Sequence, residues 1–184
     1  LTAALFALSL MAGKQWIPLD AWFGHDPRWA IIAELRIPRA VLGVLLGSAL
    51  GLSGAVLQGY LRNPLADPAL IGVSSSAGLG AVIAIILGFG AAPLILFGSA
   101  MAGAAAAVIL LGVLVGRSGS ALAFILAGTV LQTLAGSLTA FLISIAPNPF
   151  ALAEIMGWMM GALTDRSLED AMRAIPFMAA GCRS

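Results

Sequence analysis

Charge is scarce in this sequence. Only 9% of the 184 residues are Asp, Glu, Lys or Arg, whereas 61% are hydrophobic. A domain that faces water carries about 25% charged residues, so this surface is built to meet lipid. The net charge of +1 leaves no electrostatic footprint for nucleic acid or for an acidic partner. A lone cysteine, Cys182, excludes an internal disulfide framework and suits a small apolar packing residue.

Catalytic patterns are missing as well. Gly13-Lys14 is followed by Gln15 and lacks the preceding glycine of a phosphate-binding loop. No G-x-S-x-G, H-E-x-x-H or Cys/His cluster occurs, and His25, beside Asp26 in a polar loop, reads as a solvated side chain. The expectation is a chain that is not an enzyme, hydrolyses no ATP itself, and needs no metal or cofactor.

Long apolar runs are what the sequence does contain. Crossing a bilayer takes roughly 20 apolar residues in a helix. Ala40 to Leu61 is one such run, Ala69 to Gly116 a longer one, and Ser118 to Ala146 a third that ends at the helix stop Ala146-Pro147-Asn148-Pro149. Gly88-Phe89-Gly90 and Pro93 break the longer run into two helices joined by a tight turn. The Val and Leu residues between Ala40 and Leu61 each favour insertion by about 0.3 to 0.6 kcal/mol, and no central charge, costing about 2.5 to 3.5 kcal/mol, opposes them. The opening run Leu1 to Gly13 reads as a membrane helix whose start is cut off, since it lacks the basic region and cleavage site of a signal peptide. Ala151 to Leu163 is too short to span and reads as a helix at the membrane surface. After the polar cluster Asp165, Arg166, Glu169, Asp170 and Arg173, the run Ala174 to Cys182 stops before it could cross. With no internal repeat or linker, the chain is expected to be one all-α transmembrane domain over residues 1–184, a polytopic helical bundle truncated at both ends.

Small residues form two stripes. Gly43, Gly47, Gly51, Ala55 and Gly59 recur every four residues, as do Ser76, Gly80, Ala84 and Gly88; such spacing lets another backbone approach closely. Polar residues form a third pattern. Thr129, Gln132, Thr133, Gly136, Ser137, Ala140 and Ser144 fall at helical spacings of three and four. Lipid offers such groups no partner, so this face should be interhelical glue or the lining of a pathway. Between two spans, Arg62-Asn63-Pro64-Leu65-Ala66-Asp67-Pro68 places two prolines four residues apart. Irregular backbone of this kind is either an ordinary loop or one covered by protein or a water-filled cavity. Arg36 and Arg39 bracket Pro38 ahead of the first long run, and Trp16, Trp22, Trp29 and Trp158 fit an interfacial belt.

Taken in order, these segments resemble one family, the FecCD/BtuC-type permeases that import iron chelates, haem or cobalamin. The resemblance rests on Leu35-Arg-Ile-Pro-Arg39, Leu52-Ser-Gly-Ala-Val-Leu-Gln58, Asn63-Pro-Leu-Ala-Asp-Pro68 and Gly72-Val-Ser-Ser-Ser-Ala-Gly78, with Ile125-Leu-Ala-Gly128 and Met156-Gly-Trp-Met-Met-Gly161 following. It implies a multi-pass protein of the bacterial inner membrane with about six of the family's ten helices, the last one truncated. The implied partners are membrane lipid, a second permease subunit, cytoplasmic ATP-binding subunits and an extracytoplasmic substrate-binding protein. By the same resemblance Arg36 and Arg39 dock that binding protein, Asn63 and Leu65 form a cytoplasmic gate, and the helix carrying Thr129, Gln132, Thr133, Gly136 and Ser137 lines the pathway. The cargo implied first is an iron-siderophore chelate, then cobalamin or haem.

Two departures stand beside the resemblance. Family chains are nearly twice this length, and Ala121 and Leu122 stand where some relatives carry hydroxyl residues of a second gate. Family topology also puts Lys14, Arg28, Arg36, Arg39, Arg166 and Arg173 outside against Arg62, Arg117 and Arg183 inside, the reverse of the positive-inside bias. A secondary transporter or channel is the competing class, and it would require an ionisable residue at mid-membrane. No long run here contains one.

Overall fold

Prolines and capping side chains decide where the helices begin. The computed structural model describes residues 2–11, 31–116 and 120–163, together with Met172. The expectations for Lys14, Trp16, Trp22, His25, Trp29, the cluster from Asp165 and the run to Cys182 lie outside the described residues. The described residues form six α-helices and no strand: α1 (Thr2–Met11), α2 (Ile37–Leu61), α3 (Val73–Ile86), α4 (Pro93–Val115), α5 (Ala121–Ser144) and α6 (Pro149–Met160). Pro93 and Pro149 are the first residues of α4 and α6, where the missing N–H would have had no helical acceptor. Asn148 caps α6 by accepting from the Ala151 N–H at 2.8 Å, and Ser120 caps α5 by accepting from Ala123 at 3.4 Å.

A six-residue π-helical stretch, Ile31–Arg36, leads into α2. Pro38 explains it. Proline cannot donate to the carbonyl four residues back and its ring presses on that carbonyl, so the turn ahead of it widens. Together they make one apolar segment, Ile31–Leu61, that is long enough to cross a membrane; Pro93–Val115 and Ala121–Ser144 are two more. Large apolar side chains on these helices stand exposed, among them Leu50, Val113 and Leu122. An apolar surface of that extent needs lipid or further helices against it.

The described residues fall into two compact units whose boundary lies within α2: Leu1–Leu52 with Ala162–Ser184, and Ser53–Gly161. In the first, Ile32 is fully buried against Ile31 and Ile37. The second is organised around α3, which packs against α4, α5 and α6. Its core joins Val82 and Ile85 of α3 to Ala151 and Ile155 of α6, with Leu96, Leu142 and Trp158 against them.

The long run from Ala69 divides at Gly88 to Pro93 as expected, yet α3 has only 14 residues, about 21 Å at 1.5 Å per residue. The reason lies at its start. Pro68–Ile71 forms a 3-10 turn capped by Asp67, and Gly72 adopts φ 78°, so the α-helix starts only at Val73.

Two helix ends in the second unit use one motif with different residues. At the end of α3, Gly88 donates to Ile85 O and Phe89 donates to Ala84 O, both at 2.9 Å, with Gly88 at φ 87°. At the end of α2, Arg62 donates to Gly59 O and Asn63 donates to Gln58 O at 3.4 and 3.1 Å, with Arg62 at φ 48°. Both are Schellman caps, which favour glycine in the left-handed position. Arginine there is strained, so Arg62→Gly is expected to stabilise the protein by about 0.5–1 kcal/mol after the entropy of the freer unfolded chain is counted. A raised thermal midpoint in detergent checks this, and a lowered one refutes it.

Candidate functional site: a proline-broken turn against a polar helix

The turn after α2 is held by its own side chains. Asn63 Oδ1 accepts from the Leu65 N–H at 2.9 Å, and Asn63 O accepts from Ala66 N at 3.1 Å. Asp67 Oδ1 accepts from Ala69 N at 2.8 Å, and Gln58 Nε2 donates to Ala66 O at 3.5 Å. Such Asx contacts fix the backbone without help from regular structure. With Asn63 facing inward on its own turn, Leu65 is left 83% exposed at the tip. Asn63 and Leu65 share the rim of a small cavity of about 40 Å³ with Leu57, Leu61, Ala66 and Asp67, closed on the α5 side by Phe124 and Ile125. Tyr60 meets the Phe124 ring edge-on, with centroids 5.6 Å apart.

The helix opposite, α5, has two unlike faces. Gly128, Leu131, Ala135 and Thr139 are buried, and this side packs on α3 and on the 3-10 turn. Thr129 and Gln132 are half-buried, with Gln132 at the edge of the packed side, and Thr133, Gly136, Ser137, Ala140 and Ser144 are exposed. The exposed polar residues therefore do not glue α5 to its neighbours among the described residues. Three of the hydroxyls are satisfied by their own helix: Thr129 donates to Leu126 O at 2.9 Å, Thr133 to Thr129 O at 2.8 Å, and Ser144 to Phe141 O at 2.7 Å. Lipid alone would not strand them. Gln132 differs. Its carboxamide, with two donors and an acceptor, has no hydrogen-bond partner among the described residues.

A family model for the FecCD transport family matches residues 1–183. The chain belongs to the FecCD transport family. Among its relatives, the vitamin B12 import system permease protein BtuC of Shigella boydii serotype 18 is 40% identical over 156 residues, 84% of this chain and 47% of that protein. The Citrobacter koseri protein of that name is 39% identical over 155 residues, covering 84% and 46%. Among solved structures, one described as an inward-facing metal-chelate type ABC transporter superposes with a TM-score of 0.81 at 30% identity, over 93% of this chain and 54% of the other. The chain thus spans about half the length of the curated relatives it matches. The described residues of this chain are all helical in their regular structure, with three helices long and apolar enough to cross a membrane.

Within this FecCD chain the remaining expected site residues are placed as follows. Arg36 is half-buried, and its Nη1 donates to Leu10 O at 2.7 Å and Met11 O at 3.0 Å. It thereby caps the last carbonyls of α1, where positive charge also meets the negative end of the helix dipole. Arg39 is exposed. Along the α2 stripe, a Cβ added at Gly43, Gly47, Gly51 or Gly59 would meet nothing within 4 Å among the described residues, and Ala55 is exposed. Close approach occurs elsewhere. A Cβ at Gly80 would collide with the Ser99 carbonyl, and one at Gly103 with the Ser76 carbonyl. Ser76/Gly80 and Ser99/Gly103 are matching small pairs four residues apart, and only the first was singled out from sequence. Gly88 of the same stripe serves the α3 cap instead. Gly72 and Gly128, each inside a family signature, were also missed as a pair.

Proposed function

We propose that this chain is half of a permease subunit in an ATP-driven importer, and that a metal chelate crosses the inner membrane along the polar face of α5. The observation that carries this is Gln132. A carboxamide without a partner costs several kcal/mol in hydrocarbon, so this face borders protein or a wet route, and the exposed hydroxyls and glycine beside it suit the route. Asn63 and Leu65 then act as the gate, with Leu65 as the exposed tip. The partners follow from the same reading: a second permease subunit, ATP-binding subunits in the cytoplasm and an extracytoplasmic binding protein.

For the cargo, the names of the 40%-identical relatives favour cobalamin over the iron-siderophore chelate that led in the sequence reading, and cobalamin is itself a cobalt chelate. The deciding experiment is uptake by the full-length protein with its ATP-binding subunits in proteoliposomes, using labelled cobalamin and labelled ferric chelates side by side. Saturable, ATP-dependent cobalamin uptake is the expected result. Ferric chelate uptake alone would return the cargo to iron, whereas uptake driven by an ion gradient without ATP would replace the importer with a secondary transporter.

Docking has its own test. Because Arg36 also secures α1, Arg39 is the cleaner site for charge reversal. Arg39→Glu is expected to slow association with the binding protein about tenfold at low salt while leaving insertion unchanged, since exposed charge pairs set association rate and orientation. Association at the normal rate would remove Arg39 from the docking surface.

A further inference from the structure

Two family signatures, the one opening at Gly72 and the one closing at Gly128, meet backbone to backbone. A Cβ on Gly72 would lie 2.7 Å from Gln132 N, 3.0 Å from Gly128 O and 3.1 Å from Gln132 Cα. A Cβ on Gly128 would lie 2.7 Å from Leu70 O and 3.0 Å from Ile71 Cα. The contact is reciprocal, because each residue's missing side chain is the space the other's strand of backbone fills. Gly72 needs glycine twice over, since its φ of 78° is also left-handed. Gly128 sits in the interior of α5, where glycine is unfavourable by about 0.5–1 kcal/mol relative to alanine. Its gain is proximity.

We infer that Gly72 and Gly128 are positioning residues that seat the gate turn directly on α5, so that the gate and the polar face move as one body. This deepens the reading above and rests on it. The turn itself has little freedom to swing separately. Pro64 and Pro68 fix two φ angles, the Asn63 and Asp67 side chains hold the backbone between them, and Ala66 is buried. From Pro68 to Ile71 the chain lies as a 3-10 turn against α5. Sliding this segment along α5 would drive Leu70 O or the Gln132 backbone out of the one place where a glycine admits it. Interfaces packed this closely switch between discrete arrangements or move rigidly.

The test ties the two elements together. In the full-length transporter with its ATP-binding subunits, Ala66→Cys and Ile125→Cys, which line the same small cavity, are joined by a short, reducible bifunctional thiol reagent. If turn and helix travel together, cross-link yield is equal in nucleotide-free and ATP-trapped states, and uptake of the joined transporter stays within about threefold of the reduced form. A yield that changes with nucleotide, or a larger fall in uptake that reductant restores, overturns the inference. Gly128→Ala supplies the second arm: it is expected to lower the 66–125 yield while an α3–α4 cross-link is unaffected, and an unchanged 66–125 yield also refutes the seating. Should the untreated protein import neither chelate, the functional reading fails, yet the yields still decide whether the elements are one body.

Discussion

Leucine at Gly80 or Gly103 is expected to leave almost no folded protein in the membrane. Extra bulk in a packed interior ordinarily costs about 1–3 kcal/mol, because neighbouring side chains shift. Here the obstacle is main chain. The Gly80 position faces the Ser99 carbonyl and the Gly103 position faces the Ser76 carbonyl, so the helices themselves must part. Separation at α3 spreads, because α3 is the element that holds α4, α5 and α6 together. Alanine at either position should already cost about 1–3 kcal/mol, and leucine more. Thermal midpoint and protease resistance in detergent read this out. Gly43→Ala is the comparison, since its Cβ meets nothing within 4 Å. Folded protein at the normal yield from Gly103→Leu would mean that the two helices do not approach this closely.

Gln132→Leu separates lipid from route at a single atom group. If the α5 polar face turned to hydrocarbon, exchanging a carboxamide for leucine would favour insertion by several kcal/mol and leave uptake alone. If the face borders the path of the chelate, uptake should fall roughly tenfold, which corresponds to about 1.4 kcal/mol, the worth of one hydrogen bond to the cargo or its water. Ser137→Trp, on the exposed part of the same face, should obstruct the route sterically with a loss of tenfold or more, while ATP-binding subunits still co-purify. Unimpaired uptake by both variants removes α5 from the pathway.

Much of this architecture is legible because hydrocarbon imposes length and apolarity. The runs from Ala40 and Ser118 became α2 and α5 within a few residues, and the double proline after Arg62 announced a turn that side chains then stiffened. The missing parts share a cause: they are properties of pairs. Ala69, Leu70 and Ile71 do not signal that α3 will start late, since they are as apolar as the helix that follows; Asp67 and Gly72 supply the break through capping and a left-handed φ. Arg36 reaches carbonyls 25 and 26 residues away, beyond any local pattern. Small-residue spacing looks alike at Gly43 to Gly59 and at Ser76/Gly80, and only the matching Ser99/Gly103 distinguishes the second. The polar face of α5 was visible from its spacing, whereas the back-bonding that satisfies Thr129 and Thr133, and so leaves Gln132 as the informative residue, required coordinates.

The shortness of α3 has a consequence for how the bundle spans a bilayer. That helix runs beside α4, which has 23 residues to its 14, and a tight turn joins them at one end. At the other end α4 therefore extends about 13 Å farther at 1.5 Å per residue. With a hydrocarbon layer about 30 Å thick, α3 alone, about 21 Å long, falls short of a full crossing, whereas α4, about 35 Å long, does not.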